Sequence, residues 1–107
     1  MKVGMTKVSV LYPNGEGKTF DMDYYLNNHI PLVKELLGDA LKSASVEKGL
    51  GGAAPGSTAP FAGVGNMYFD SVKDFGKAFG PNAEKIMGDL PNFTNIEPVV
   101  QISEVVA

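Results

Sequence analysis

The 107-residue sequence contains no cysteine, no tryptophan and only one histidine. Without cysteine the chain forms no disulfide and offers no thiolate ligand to a metal ion. Neither positive nor negative charge is in large excess, because nine basic and twelve acidic side chains give a formal net charge of −3. A nucleic-acid-binding surface needs concentrated positive charge, so this composition argues against nucleic acid as a partner.

Long hydrophobic runs are missing as well. No stretch approaches the roughly 18 apolar residues that a membrane-spanning helix requires, and the segment from Met1 to Lys7 lacks the apolar region of a secretory signal. The sequence therefore indicates a cytoplasmic protein that does not enter a membrane. Its length is typical of one domain, and we predict a single domain over residues 1–107.

Cofactor and metal motifs are not found either. One histidine, no cysteine and no closely spaced inward carboxylates leave no set of three metal ligands, so no metal site is expected. The glycine-rich segment Gly49–Pro60 lacks the Lys-Ser/Thr pair of a phosphate-binding loop, and it lies between predicted strands rather than opening a helix. We expect no cofactor, and we predict a mobile loop here, with a lid over a pocket as the alternative.

Hydrophobic periodicity predicts the secondary structure. Residues 6–13 alternate as a strand, with Val8, Val10 and Tyr12 on one face. Apolar residues spaced by three and four from Met22 to Leu37 predict a helix. That helix is capped by Asp21 and ended by Gly38. The remaining predicted elements are strands at 41–48, 61–69 and 99–106 and a second helical region that starts after Ser71 and breaks at Gly80-Pro81.

The resulting order, β-α-β-β-α-β, is that of the ferredoxin-like fold. It predicts a four-stranded antiparallel sheet with both helices on one face. The last strand carries Val99 on one side and Val100 and Ile102 on the other, so neither face of the sheet has enough charged side chains to favour exposure to water. An apolar sheet face is usually covered, and a second copy packed sheet to sheet covers it with two-fold symmetry. We therefore predict a homodimer.

His29 is the main candidate for chemistry, because histidine is the side chain whose ordinary pKa lies near neutrality. It falls four residues after Tyr25 within the apolar stripe, so it should face the sheet. Pro31 follows two residues later and has no N–H, which leaves the carbonyl of Asn27 without its usual helical partner. A polar spot in an apolar wall is typical of a ligand pocket. The alternative is a core histidine satisfied by one hydrogen bond, beside a plain proline kink.

Tyrosines accompany this histidine. Tyr25 shares its helix face, whereas Tyr24 lies about 100° away and is expected at the surface or rim. Tyr12 and Tyr68 lie on predicted strands and can reach the same space. We predict a pocket between the first helix and the sheet, with His29 as its acid or base and with four residues as substrate contacts: Tyr25, Tyr12, Tyr68 and Pro31.

Two segments carry a family resemblance. The run from Tyr24-Tyr25 to His29-Ile30-Pro31-Leu32-Val33 resembles the signature of the EthD family, and the tail from Leu90 to Ser103 is similar to its closing motif. The glycine-rich stretch before the third strand fits the family too. The resemblance implies a ferredoxin-like fold that dimerises into an α+β barrel, and it places the histidine of the family motif at His29.

The resemblance also limits the functions to consider. The EthD family is named after a protein required, with a cytochrome-dependent oxidation system, for bacterial degradation of ethyl tert-butyl ether, and its members are often labelled oxidoreductases. Related barrels include cofactor-free monooxygenases, lyases and polyketide cyclases. Three functions stay open: a cofactor-free enzyme acting on a hydrophobic, oxygen-bearing small molecule with His29 as acid or base, a non-catalytic binding protein, and an accessory partner protein of an oxidation system.

Overall fold

The computed structural model describes residues 2–107 and confirms the predicted order of elements. The strands are β1 (Thr6–Pro13), β2 (Ser43–Lys48), β3 (Phe61–Phe69) and β4 (Val99–Glu104). The α-helices are α1 (Met22–Tyr24), α2 (Ile30–Leu37), α3 (Val72–Phe79) and α4 (Ala83–Gly88). The second and fourth strands are each two residues shorter than predicted, at the start of β2 and the end of β4.

The four strands form one antiparallel sheet in the order β2-β3-β1-β4. Val10 lies opposite Gly65 of β3 and Val100 of β4, so these three residues share a face. Both helical regions pack on that face, where Val8 and Tyr12 are almost completely buried. The predicted ferredoxin-like sheet, with helices on one side, is therefore confirmed.

Capping residues define where the helices begin and end. The carboxylate of Asp21 accepts a hydrogen bond from the Tyr24 N–H at 3.1 Å and starts α1. The Ser71 hydroxyl accepts one from the Asp74 N–H at 3.1 Å and starts α3. Gly38 ends α2 with a φ of 56°, a left-handed conformation that favours glycine. The caps expected from the sequence are thus the ones the protein uses.

The first helix differs from expectation at Pro31. Residues Tyr25–His29 form a π-helical turn that joins α1 to α2, and the Ile30 N–H bonds the Tyr25 carbonyl five residues back. Because Pro31 has no N–H, the chain adds a residue to the turn rather than keeping a regular helix with one broken bond. Residues four apart in a regular helix are offset by about 40° around the helix axis. The wider turn cancels part of this offset and keeps Tyr25 and His29 on the buried side.

The helix-free face of the sheet is more polar than the sequence suggested. Asn66 lies at its centre and is buried; its amide donates to the Ser45 hydroxyl at 3.2 Å, and its oxygen accepts from the Ser9 hydroxyl at 3.5 Å. Gln101 lies next to Ser9 in register and extends this polar row to β4. One apolar row runs beside it: Val64, Leu11 and Val99. The face combines a polar centre with an apolar strip.

The core on the helix side divides into two clusters. The Phe69 cluster consists of buried hydrocarbon side chains: Val8, Val33, Leu37, Phe69 and Ile86. The Tyr12 cluster is mostly aromatic: Tyr12, Tyr25, Phe93 and Ile96. The second cluster packs around the π-helical turn and places two phenol hydroxyl groups at that end of the core.

Gly49–Pro60 connects β2 to β3 and lies away from the core. Leu50 is 93% exposed, and the segment turns back at Ala54, whose carbonyl accepts from the Ser57 N–H at 3.0 Å. Its mobility stays a prediction that hydrogen exchange can test. Among residues 2–107, no helix combines the length and hydropathy needed to cross a bilayer.

Candidate active site

A cavity of about 270 Å³ lies between the helices and the sheet, at the position predicted from the helix stripe. Three predicted site residues, Tyr12, Tyr25 and His29, belong to its wall. The rest of the wall is mainly hydrocarbon and aromatic, with contributions from all four strands and from α2, α3 and α4: Val8, Val10, Ile30, Val33, Lys34, Leu37, Leu41, Ala44, Ser45, Gly65, Asn66, Met67, Phe75, Phe79, Ile86, Met87, Leu90, Pro98 and Val100.

His29 is buried and is held by a carboxylate. Its Nδ1 lies 2.9 Å from Oδ2 of Asp89, the residue that follows α4. The imidazole also packs between aromatic rings, with centroids 5.5 Å from Tyr25 and 4.7 Å from Phe93. These contacts leave the ring little freedom to rotate.

Asp89 receives three hydrogen bonds. Besides His29, the Tyr24 hydroxyl donates to its Oδ1 at 2.8 Å, and so does the Asn92 side-chain amide at 2.9 Å. Partial burial by itself raises the pKa of Asp89, but the donors outweigh it, and the pKa lies below its ordinary value. Asp89 is therefore an anion near neutral pH, and its hydrogen bond raises the pKa of Tyr24.

This network fixes the roles of the two imidazole nitrogens. An ionised carboxylate has no hydrogen to donate, so Nδ1 of His29 donates to Asp89. Among residues 2–107 every enclosed side-chain nitrogen or oxygen has a hydrogen-bond partner. The Nε2 atom has none, so it is not fully enclosed, and the ring to which it belongs lines the cavity. In the neutral ring Nε2 carries the lone pair, so it is the nitrogen that can accept a proton from a bound molecule.

Tyr12 and Tyr25 add hydroxyl groups to the same wall. Burial raises the pKa of Tyr25 to about 12. Burial also raises the pKa of Tyr12, and the neighbouring Tyr25 hydroxyl raises it further. Both phenols therefore stay protonated at neutral pH, and since the Tyr12 hydroxyl is directed at Tyr25, it is the Tyr25 hydroxyl that can donate to an oxygen of a bound molecule.

Gly65 makes room for one of these hydroxyls. A Cβ atom built on Gly65 would overlap the Tyr25 hydroxyl oxygen, which rests on the strand where any other residue would place a side chain. Glycine at this position of β3 thus lets the Tyr25 hydroxyl approach the sheet end-on, and it keeps the floor of the cavity open.

Two of the predicted substrate contacts, Tyr68 and Pro31, do not line the cavity. Tyr68 pairs with Lys7 and Ser43, so it lies on the helix-free face, and the structure does not bring it to the cavity. Pro31 is exposed and does not line the cavity; its visible effect is the π-helical turn. Tyr24 stays outside the cavity, as expected, but it contacts the site through Asp89.

Asp89 was missed in the sequence, because it lies 60 residues from His29 in what reads as a plain connection after a helix. Its only signal was its place directly before the tail from Leu90 to Ser103 that resembles the closing motif of the EthD family. In the part of the chain that the structure describes, no three His, Cys, Asp or Glu residues gather as metal ligands. The arrangement is that of a histidine–carboxylate pair serving an apolar cavity.

Comparison with known proteins gives one family. The model of the EthD domain matches residues 14–97, most of the chain. The chain is also similar to a solved EthD-like protein from Ralstonia eutropha, with 44% identity, a TM-score of 0.93 and coverage of 99% of this chain and 96% of the other. A search of curated proteins finds no match.

More distant solved structures share the fold. A dimeric ferredoxin-like protein of unknown function from Bacteroides fragilis is 17% identical with a TM-score of 0.55, covering 94% of this chain and 96% of the other. The hydroxynitrile lyase of Passiflora edulis is 16% identical with a TM-score of 0.62, covering 97% of this chain and 95% of the other. At these identities the likeness is one of architecture.

Proposed function

This chain belongs to the EthD family, and we propose that it is a cofactor-free enzyme that moves a proton on a hydrophobic, oxygen-bearing small molecule. The observation that carries the proposal is His29, whose ring lines an apolar cavity while Asp89 holds Nδ1 at 2.9 Å and leaves Nε2 free of a protein partner among residues 2–107. A neutral imidazole in this arrangement is a general base, and its protonated form is a general acid.

Asp89 and the tyrosines supply the other parts. When Nε2 takes a proton, the imidazole becomes a cation, and the adjacent carboxylate of Asp89 stabilises it. The Tyr25 hydroxyl, which accepts from Tyr12, can donate to an oxygen of the substrate on which negative charge develops. The apolar wall excludes water and strengthens both interactions.

Related proteins are compatible with this chemistry. The family is associated with oxidation of small molecules, and the distant relative from Passiflora edulis is described as a hydroxynitrile lyase. Lyase-type and monooxygenase-type reactions both need a base that removes a proton from a small organic substrate. The proposal is therefore limited to proton transfer, which the two classes share.

A second function follows from the same cavity. A wall that is almost wholly apolar also suits a protein that carries a small molecule without changing it. In that case His29 and Asp89 would orient the ligand only. An accessory role beside an oxidation system would need this ligand to pass to a partner protein.

Turnover of a defined compound set separates these functions. The protein is incubated with aryl and alkyl hydroxy compounds, ketones and cyanohydrins, and each compound is followed by mass spectrometry. We expect at least one compound to be consumed by the native protein and not by the His29→Ala variant. Compounds that co-purify with both proteins and return unchanged would contradict an enzyme and favour the binding protein.

We also propose that two copies pair through the helix-free face. A dimeric structural neighbour supports this arrangement, as do the half-exposed Val99 and the strip formed with Leu11 and Val64. Light scattering at micromolar concentration should give the mass of a dimer. Leu11→Glu should give the mass of a monomer, because it buries a charge in the strip, whereas Leu50→Glu should leave the dimer intact. The mass of a monomer for the native protein would contradict the proposed dimer.

A further inference from the structure

We propose that the cavity takes an apolar molecule with an anionic group at one end, such as a carboxylate or an enolate, and that Lys34 selects for that group. The inference rests on the site of the proposed function, but it concerns binding and does not require turnover. It adds a ligand class and a specificity residue to His29.

Lys34 is the one cationic side chain among the residues that line the cavity. It is exposed, and a lysine in this position can border the cavity with its aliphatic stem and keep its ammonium group in water. The other exposed lining residues, Ala44, Ser45, Met87 and Val100, carry no charge. Among residues 2–107, the exposed part of the cavity wall therefore carries one charged side chain, and its charge is positive.

No carboxylate neutralises Lys34 in the described chain. The two ion pairs found in residues 2–107 join His29 to Asp89 and Lys42 to Asp70. Lys34 thus keeps its charge available to a ligand. The chain as a whole carries a formal charge of −3 and repels anions, so a preference for an anion must come from a local group.

The position of Lys34 also sets the shape of the ligand. It follows His29 by five residues, which corresponds to about 7.5 Å along the helix axis. A molecule that reaches His29 with its reacting part and Lys34 with its anionic end must span at least this distance. Between the two residues it contacts mainly apolar side chains such as Ile30 and Val33.

Two nearly isosteric probes test the inference. 2-Naphthoate is an anion at neutral pH and 2-naphthamide is neutral, and probe fluorescence can be followed without tryptophan background because the chain has none. We expect naphthoate to bind about two- to five-fold more tightly, the range for an exposed ion pair. We also expect that preference to shrink as salt is added.

Matched variants assign the preference to Lys34. Lys34→Gln should bring naphthoate down to the affinity of naphthamide and leave naphthamide unchanged, and Lys34→Arg should retain the preference. Lys73→Gln removes the same charge from an exposed site away from the cavity and should behave as the native protein. Equal affinities in the native protein, a preference that survives Lys34→Gln, or equal weakening of both probes would each overturn the inference.

The result is independent of catalysis. If the naphthoate preference depends on Lys34 but the His29→Ala variant consumes the same compounds as the native protein, the proposed function fails and the ligand class stands. If His29 is required for turnover but the preference is absent, the ligand class fails and the proposed function stands.

Discussion

The Phe69 and Tyr12 clusters lie on the same face of the sheet, yet they differ in what they contain. The Phe69 cluster is built from hydrocarbon groups, with Val8 1% and Phe69 0% exposed. The Tyr12 cluster carries two phenol hydroxyls and packs against the buried imidazole of His29. The cavity touches both clusters. We infer from this comparison that the Phe69 cluster mainly stabilises the fold and that the Tyr12 cluster presents polar atoms to a ligand.

Phe69→Ala should have the largest effect on stability. The ring is completely buried and packs edge-on against Phe75 at 5.1 Å. Its removal should lower the free energy of unfolding by about 3–5 kcal/mol, measured by denaturant titration. The half-buried Phe61 lies at the end of the same strand, and Phe61→Ala should cost clearly less. Equal losses at both positions would mean that the Phe69 cluster is not the stabilising one.

His29→Ala should have the opposite effect, with a large loss of turnover and little loss of stability. Turnover of any compound found in the screen should fall by about 100-fold or more, because the group that moves the proton is gone. The melting temperature should stay close to that of the native protein, since removing a polar ring from an apolar cavity offsets part of the lost contact with Asp89. A large fall in stability with unchanged turnover would instead make His29 a core residue.

The sequence predicted the fold well because each element is encoded locally. Alternation in β1, the three-four spacing of the first helix and the caps at Asp21 and Ser71 depend on neighbours within a few residues. His29 could be located because it is the single histidine and lies in the apolar stripe. The predicted elements therefore lie close to where the structure places them.

The parts that escaped prediction depend on long-range geometry. Asp89 reaches His29 only when the end of α4 is packed beside the π-helical turn, 60 residues away in sequence. Tyr68 was expected near Tyr12, but strand register puts it opposite Lys7 and so on the other face. A shift of one residue in register moves a side chain across the sheet, and no local pattern in β3 determines that register.

Gly65→Ala tests how closely the Tyr12 cluster is fitted. The added methyl group would overlap the Tyr25 hydroxyl, so we expect a loss of about 1–3 kcal/mol and weaker binding of both naphthalene probes. Gly76→Ala is the matched control, because a Cβ there meets no neighbouring atom. In the middle of α3 it should stabilise the protein by about 0.5–1 kcal/mol. A neutral Gly65→Ala variant would show that Tyr25 is free to move.

Asp89→Asn removes a charge while keeping the size of the side chain. The imidazolium formed during proton transfer would lose its counter-charge, so turnover should fall by at least about ten-fold. Nitrogen NMR gives a test without substrate, because signals from histidine come from His29 alone. The native protein should show a hydrogen on Nδ1 and a lone pair on Nε2 at the pH where the ring is neutral. The exposed Asp39→Asn variant should change neither measurement.

The smallest expected effect is the response of stability to acid. Hydrogen bonds hold the pKa of folded Asp89 below its ordinary value of 3.8. The stabilisation is therefore complete above about pH 5, and it is lost as the pH falls from about 4 through the lowered pKa, since the unfolded chain takes up a proton first. The gap in melting temperature between native protein and Asp89→Asn should narrow over that range. The gap for Phe69→Ala should stay constant, because no charge is involved. If both gaps respond alike, the two clusters are not electrostatically distinct.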